Sequence, residues 1–288
     1  MNRCYLCGAF PERIAVGVRH NPELEVCKCA ACGLVYLWPR PSEDELRGYY
    51  DRQYRASYDP GVELEAAYRE NLAEAQGRVT RLRSLLSEKI RLLEIGAYAG
   101  YFLDAVRPYA GSVAGVEPDP DCREWVARRL GIQMEEDVAC LAHERFDVVV
   151  MFHTLEHLPD PVQSLKQISK VIAPGGKLII EVPNVDDALI SLYEIPAYQN
   201  FYYQRAHLFY FSKSALKQVS ELAGFNAQIT GLQRYDLSNH LRWMLTGQPG
   251  GQRFYEPVLD GVVNAAYAEA LIRSGRSDTL WAVLEPAN

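Results

Sequence analysis

The chain has 288 residues, enough to bury one full α/β core and to carry a small satellite domain. At 48% hydrophobic and 23% charged residues its composition is that of an ordinary soluble protein, and no stretch approaches the roughly 18 apolar residues of a membrane span. A formal net charge of −7 repels nucleic acid over the chain as a whole, and the opening "MNRCYLCGAF" lacks the basic-then-apolar run of a secretory leader. The expectation is a cytoplasmic protein whose seven cysteines are thiols or metal ligands rather than disulfides.

Five of those cysteines fall in the first 32 residues, and four form two matched knuckles. "CYLCG" supplies Cys4 and Cys7, "CAACG" supplies Cys29 and Cys32, and each pair is followed by a glycine that permits a tight turn. Four soft ligands at this spacing suit tetrahedral Zn²⁺. A closed four-cysteine site has no open position for water or substrate, so the ion would be structural. Cys27 and His20 are left as spares. The loop between the knuckles, "AFPERIAVGVRHNPELEV", mixes both charge signs and carries no basic cluster, which favours a scaffold over a nucleic-acid reader.

The organisation expected is a zinc-binding module over residues 1–40, linker helices with a substrate-covering segment over 41–77, and the main domain over 78–288. "SEDEL" after two prolines has the serine cap and acidic first turn of a short helix. From Glu63 to Lys89, apolar residues at Leu64, Tyr68, Leu72, Ala75, Val79, Leu82 and Leu86 recur every three or four positions, one face of a long amphipathic helix. Beyond it "RLLEIG", "SVAGVEP", "FDVVVMF" and "GKLIIEVPN" read as strands alternating with helical stretches. That alternation predicts a parallel sheet covered on both faces. "FSKSALKQVSELAGF" reads as a capped helix, "NAQITGLQRY" as a strand, and the tail as a helix around "LDGVVNAAYAEALIRSG" and a last strand, "TLWAVLEP".

Ligands of open parallel sheets sit beyond the carboxyl ends of the strands. There the sequence places Glu94, Gly96, Tyr98 and Gly100 after the first strand and Glu117 after the second, 23 residues beyond Glu94. An acid at that offset suits both hydroxyls of a ribose. A dinucleotide turn needs a second glycine so that backbone can approach a pyrophosphate, and Tyr98 stands in that place. A donor without phosphate, S-adenosylmethionine, removes the requirement. No Lys followed by Ser or Thr completes a P-loop.

On these residues the chain resembles the class I S-adenosylmethionine-dependent methyltransferases from about Arg78 onward. "LLEIGAYAGYFL" resembles the family's first motif, and "VAGVEPDP" the second, which makes Glu117 the ribose ligand. "MEEDVA" resembles the third, with Asp137 accepting from the adenine amino group and Val138 offering its amide. "FDVVVMFHTLEHLPDP" and "VIAPGGKLIIEVPN" resemble the fourth and fifth strands and their joining helix, with Phe152 against the adenine or closing the core. The resemblance implies a Rossmann-like sheet with helices on both faces. Two zinc knuckles ahead of such a domain, with "RAHLFYFS" after the fifth strand, are similar to methyltransferases of sugar and antibiotic biosynthesis. These imply a sugar-like small-molecule acceptor methylated on oxygen or carbon. In the carbon-methylating members a glutamate precedes the histidine matched by His207; here Ala206 departs from that pattern.

Methyl transfer asks the protein to align a nucleophile and remove its proton, a task for a histidine of near-neutral pKa. His207 is favoured as base, with His153 and His157 after the fourth strand as the other candidates; His157 has a loop-packing role as its alternative. Tyr54 and Tyr58 lie where related sugar methyltransferases offer a substrate-binding tyrosine. Tyr198, Phe201, Tyr202 and Tyr203 read as core or lid, or as hydrogen-bonding rings around a sugar, and Arg205 as a phosphate partner. The rival readings are a nucleic-acid methyltransferase guided by the zinc module and a non-catalytic donor-binding or scaffold protein. The oligomeric state is open.

Overall fold

A computed structural model describes residues 3–41, 63–255 and 258–287. The expected "SEDEL" helix and both Tyr54 and Tyr58 lie outside the described residues.

The central sheet follows from runs of β-branched residues too short to be helices. β4 (Arg91–Ile95), β5 (Ser112–Val116), β6 (Met134–Glu135), β7 (Phe146–Phe152), β8 (Ile172–Pro183), β10 (Phe225–Leu232) and β11 (Thr279–Pro286) stand in the order β10-β11-β8-β7-β4-β5-β6. β4, β5, β6, β7 and β8 are parallel, whereas β11 runs antiparallel to both neighbours. The fold is thus the Rossmann-like α/β sheet expected, but mixed rather than wholly parallel, because the last strand is reversed.

Burial of the middle strands on both faces explains their unbroken apolar runs. Along β7, Val148 and Val150 face one core, while Val149 and Met151 face the other. The first core is closed by α1 (Leu64–Leu82), α2 (Tyr101–Val106) and α3 (Pro120–Leu130), and the second by α4 (Pro161–Ser169) and α7 (Lys213–Leu222). Caps set the helix starts. Asp119 accepts from the amides of Asp121 and Cys122 at the head of α3, and Ser212 accepts from the Ala215 amide, 3.2 Å, at the head of α7.

The segment between the cysteine knuckles is not a loop. β1 (Pro11–Val18) and β2 (Asn21–Cys29) form a hairpin, and β3 (Val35–Trp38) extends it to β9 (Phe209–Tyr210), giving a second, antiparallel sheet in the order β1-β2-β3-β9. Its alternation was hidden because polar and apolar residues change places at two register shifts between β1 and β2. The sheet is stitched to the main domain: Cys27, Cys29 and Tyr36 pack into one core of the central sheet, and Val26, Val35 and Leu37 meet Tyr198, Tyr202, Tyr203 and Tyr210 in a third cluster. The short helices α5 (Ala188–Ser191), α6 (Pro196–Tyr202) and α8 (Leu237–Thr246) border that cluster; α9 (Gly261–Arg273) precedes β11.

Candidate donor and acceptor site

The order of strands reverses between β4 and β7, and a parallel sheet opens a crevice beyond the strand ends at that point. Gly96 turns the chain there with φ +77°, and a Cβ on it would stand 2.4 Å from Thr154 Oγ1 of the β7 loop. Only glycine fits that approach. Gly100 opens α2 with φ +67°, against Val126 and Leu130 of α3. Tyr98 holds φ +47°, the left-handed region in which glycine is at home. Its amide donates to Glu117 Oε2, 2.8 Å, and the Asp119 amide donates to Glu117 Oε1, 3.0 Å. Burial raises the proton affinity of Glu117, with these two amides opposing.

Glu94 is buried at the end of β4, and its Oε2 lacks a hydrogen-bond partner among the described residues. Burial pushes its pKa well above the carboxylate range; Arg78 opposes the shift and Glu117 adds to it. Asp137 is exposed and accepts from the Ala139 amide, 2.7 Å, which caps a short turn that includes Val138. Phe152 lies in the core, edge-on to Phe102 at 4.8 Å between ring centres and stacked on Trp281 at 6.0 Å. The Arg78 guanidinium sits 4.3 Å above its ring.

Arg78 belongs to a charge network that the sequence reading missed. Fully buried on α1, it donates Nε and Nη2 to the two oxygens of Glu181 on β8, both at 3.1 Å, and Nη2 also meets Glu74 Oε1 at 2.6 Å. Arg234, just after β10, reaches Glu74 Oε1 at 2.5 Å and His153 Nε2 at 2.6 Å. His153 Nε2 also lies 3.1 Å from Glu181 Oε1, and Nδ1 lies 3.4 Å from Glu156 Oε1. His153 carries φ +52°, strain of the kind that gathers at functional sites. Glu181 was visible as the one charge inside the apolar run "LIIEVP", and a lone buried charge demands a partner.

The three candidate histidines differ in environment. Burial and the Arg234 charge work against protonation of His153, but the carboxylates of Glu156 and Glu181 outweigh them and its pKa rises above the ordinary value. For His157, burial lowers it. For His207 burial, aided by His157, His153 and Arg19, takes it well below. His153 has 26% of its side chain exposed, whereas His157 and His207 are buried. His157 donates Nδ1–H to the Ala206 carbonyl, 2.9 Å, and stands edge-on to His207 at 4.8 Å between ring centres. His207 Nε2 accepts from the Gln204 amide at 2.8 Å.

The tyrosines of 198–203 pack inward. Tyr198, Tyr202 and Tyr203 are buried in the third cluster, and Tyr198 donates to Asp187 Oδ2 at 2.7 Å. Phe201 lies under the Arg19 guanidinium at 4.3 Å, and Arg205 is exposed on the same segment.

Beside the second sheet, with Cys4 and Cys29 in a core shared with the central sheet, the sulfurs of Cys4, Cys7, Cys29 and Cys32 all lie within 4.8 Å of one another, Cys4 and Cys32 at 3.6 Å and Cys7 and Cys29 at 3.4 Å. Four thiolates around a tetrahedral Zn²⁺ would be about 3.8 Å apart, so the donor set fits. Gly8 and Gly33, both with positive φ, donate back to the Cys4 and Cys29 carbonyls at 2.9 and 2.8 Å and close each knuckle. Cys27 stands apart, buried in β2.

Residues 66–228, more than half of the chain, match the family model described as a methyltransferase domain. The ubiquinone biosynthesis O-methyltransferase of Xanthomonas oryzae pv. oryzae (strain PXO99A) is 28% identical over 112 residues, 35% of this chain and 46% of that protein. The protein of the same name from Coxiella burnetii (strain Dugway 5J108-111) is 28% identical over 102 residues, 32% of this chain and 43% of that protein. The chain therefore spans just under half the length of these curated relatives. Among solved structures, a SAM dependent methyltransferase from Archaeoglobus fulgidus has a TM-score of 0.52 at 20% identity, covering 76% of this chain and 96% of that one. The plantazolicin methyltransferase BpumL in complex with SAH has a TM-score of 0.50 at 16% identity, covering 85% and 97%. At these identities the likeness is one of fold.

Proposed function

The chain belongs to the methyltransferase-domain family, as a class I S-adenosylmethionine-dependent member, and from that premise we propose that it methylates a hydroxyl oxygen of a small molecule, with His153 as the base. The observation that carries the assignment is the environment of His153: of the three candidate histidines it alone joins partial exposure at the strand ends to a raised proton affinity. Oxygen as the acceptor atom rests on the curated relatives, whose printed name is that of O-methyltransferases. For a sugar-like acceptor the buried tyrosines of 198–203 add no support, and that reading rests on the cysteine knuckles and the "RAHLFYFS" segment.

Bound at this crevice, S-adenosylmethionine would supply an electrophilic methyl group. Glu117 would hold its ribose, and the bare Glu94 oxygen would accept from its amino group. Gly96 lets the turn close against Thr154 of the β7 loop, which would shape the crevice that holds the donor. With the acceptor hydroxyl displacing the Arg234 guanidinium from Nε2, His153 takes its proton on that nitrogen as the oxygen attacks, and the carboxylates of Glu181 and Glu156 stabilise the imidazolium that forms. His207 and His157 stay behind it as packing and orienting groups. The cysteine cluster would hold a structural Zn²⁺.

The test combines calorimetry of S-adenosylmethionine binding with transfer of a labelled methyl group to a panel of hydroxylated compounds, sugars included. The expected result is donor binding and label on oxygen. Absence of donor binding, or label on carbon or nitrogen alone, overturns the reading.

A further inference from the structure

The cysteine module reaches His207 through a short chain of side chains whose polarity admits one arrangement. Arg19 sits in the turn between β1 and β2. Its backbone clasps the segment before β9: its amide donates to the Tyr203 carbonyl, 2.8 Å, and its carbonyl accepts from the Arg205 amide, 3.2 Å. Its guanidinium lies over Phe201 and donates Nη2–H to Gln204 Oε1. An arginine only donates, so the oxygen of Gln204 faces Arg19 and the NH₂ group faces His207. That group donates to His207 Nε2 at 2.8 Å, which leaves the proton of the neutral imidazole on Nδ1.

His207 Nδ1 is buried and has no hydrogen-bond partner among the described residues. Glu156, His157 and His207 each bring a donor or acceptor atom within 4.8 Å of the others, and both oxygens of the buried Glu156 carboxylate also lack a hydrogen-bond partner among those residues. Glu156 Oε1 faces His153 Nδ1 at 3.4 Å but forms no direct hydrogen bond with His207, and an N–H donor and a carboxylate this close are complementary through one buried water. Backbone bonds tie the same groups together: the Leu37 amide of β3 donates to the Leu208 carbonyl, and the Leu208 amide donates to the Glu156 carbonyl.

We propose that Arg19, acting through Gln204, is a positioning residue that fixes His207 as the Nδ1–H tautomer, and that His207 in turn orients Glu156, the carboxylate beside His153. The cysteine module is then a working part of the acceptor side. The step that ends at His153 rests on the proposed function; the tautomer does not.

The tautomer is read by long-range ¹H–¹⁵N correlation on the full, metal-loaded chain labelled at histidine. The expected spectrum shows His207 protonated on Nδ1 in the parent, a mixture of tautomers in Arg19→Met, and the parent pattern restored in Arg19→Lys. His207 protonated on Nε2 in the parent, or an unchanged spectrum in Arg19→Met, overturns the proposal. Should Arg19→Met not fold, Gln204→Glu serves: its carboxylate only accepts, so His207 must move its proton to Nε2 or take a second one, and an unaltered His207 spectrum overturns the proposal. In kinetics, Arg19→Met lowers kcat/KM for the acceptor roughly tenfold with donor affinity kept. Parent protein with the expected tautomer but no methyl transfer would defeat the proposed function and leave the tautomer assignment standing.

Discussion

At the scale of single residues the proposed mechanism rests on His153. His153→Gln should lower kcat roughly 10²-fold with donor affinity kept, because one hydrogen-bonding side chain replaces the proton acceptor. Since the carboxylates around it raise its proton affinity, the acid limb of kcat/KM should fall above the ordinary histidine value of about 6.5. Kinetics across pH check both, and a limb below that value removes His153 from the role. Arg78 is the structural counterpart. Arg78→Met takes the two-pronged partner from buried Glu181 and leaves it His153 and Arg234, and breaking such a pair costs roughly 3–5 kcal/mol, read as a lowered denaturant midpoint. Burial works against ionisation of Glu181, but His153, Arg78 and Arg234 hold its pKa far below the usual range. A depressed carboxylate contributes stability above its unfolded pKa of about 4.3 and loses it as pH falls further, so the parent should weaken below that pH and the variant less steeply.

Among the elements, the turn from β4 into α2 does most to define the donor site. Gly96→Ala forces a Cβ onto Thr154 at a left-handed backbone position, so a loss of roughly 1–3 kcal/mol and of donor affinity is expected, measured by thermal unfolding and calorimetry. Tyr98→Gly is expected to leave donor affinity within about twofold, since the amide, which glycine keeps, bonds Glu117. A larger loss would place the ring in the donor site. Of its two readings, core or lid, the aromatic segment before β9 takes the first: α6 turns Tyr198 against Trp243 and Tyr202 against Tyr203 and Tyr210, and Asp187 takes the Tyr198 hydroxyl.

For the molecule as a whole, the cysteine module and the main sheet share their hydrophobic cores. Loss of a metal held by the four cysteines would therefore be felt beyond the module. Cys29→Ser is expected to lower Tm and to raise hydrogen exchange at 203–211, which pairs with β3, while β4 and β7 at the centre of the main sheet keep their protection. Uniform loss of protection, or none, would contradict this. No helix among the described residues is long and apolar enough to cross a membrane.

Much of the main domain was legible from the chain alone, because its signals are local. "FDVVVMF" and "TLWAVLEP" coincide with the whole of β7 and of β11, and two knuckles with matching glycines bring four sulfurs together. Glycine spacing separated a sulfonium donor from a dinucleotide, since backbone geometry near a turn is set by neighbouring residues. What the sequence left undecided involves partners far apart in the chain. Arg78, Glu181 and Arg234 meet only because α1, β8 and β10 converge, and no window of sequence contains all three. The antiparallel direction of β11 and the pairing of β3 with β9 are equally non-local. Tertiary structure alone divided the three histidines, which look alike as residues: burial and the charges gathered by folding decide which of them can hold a proton.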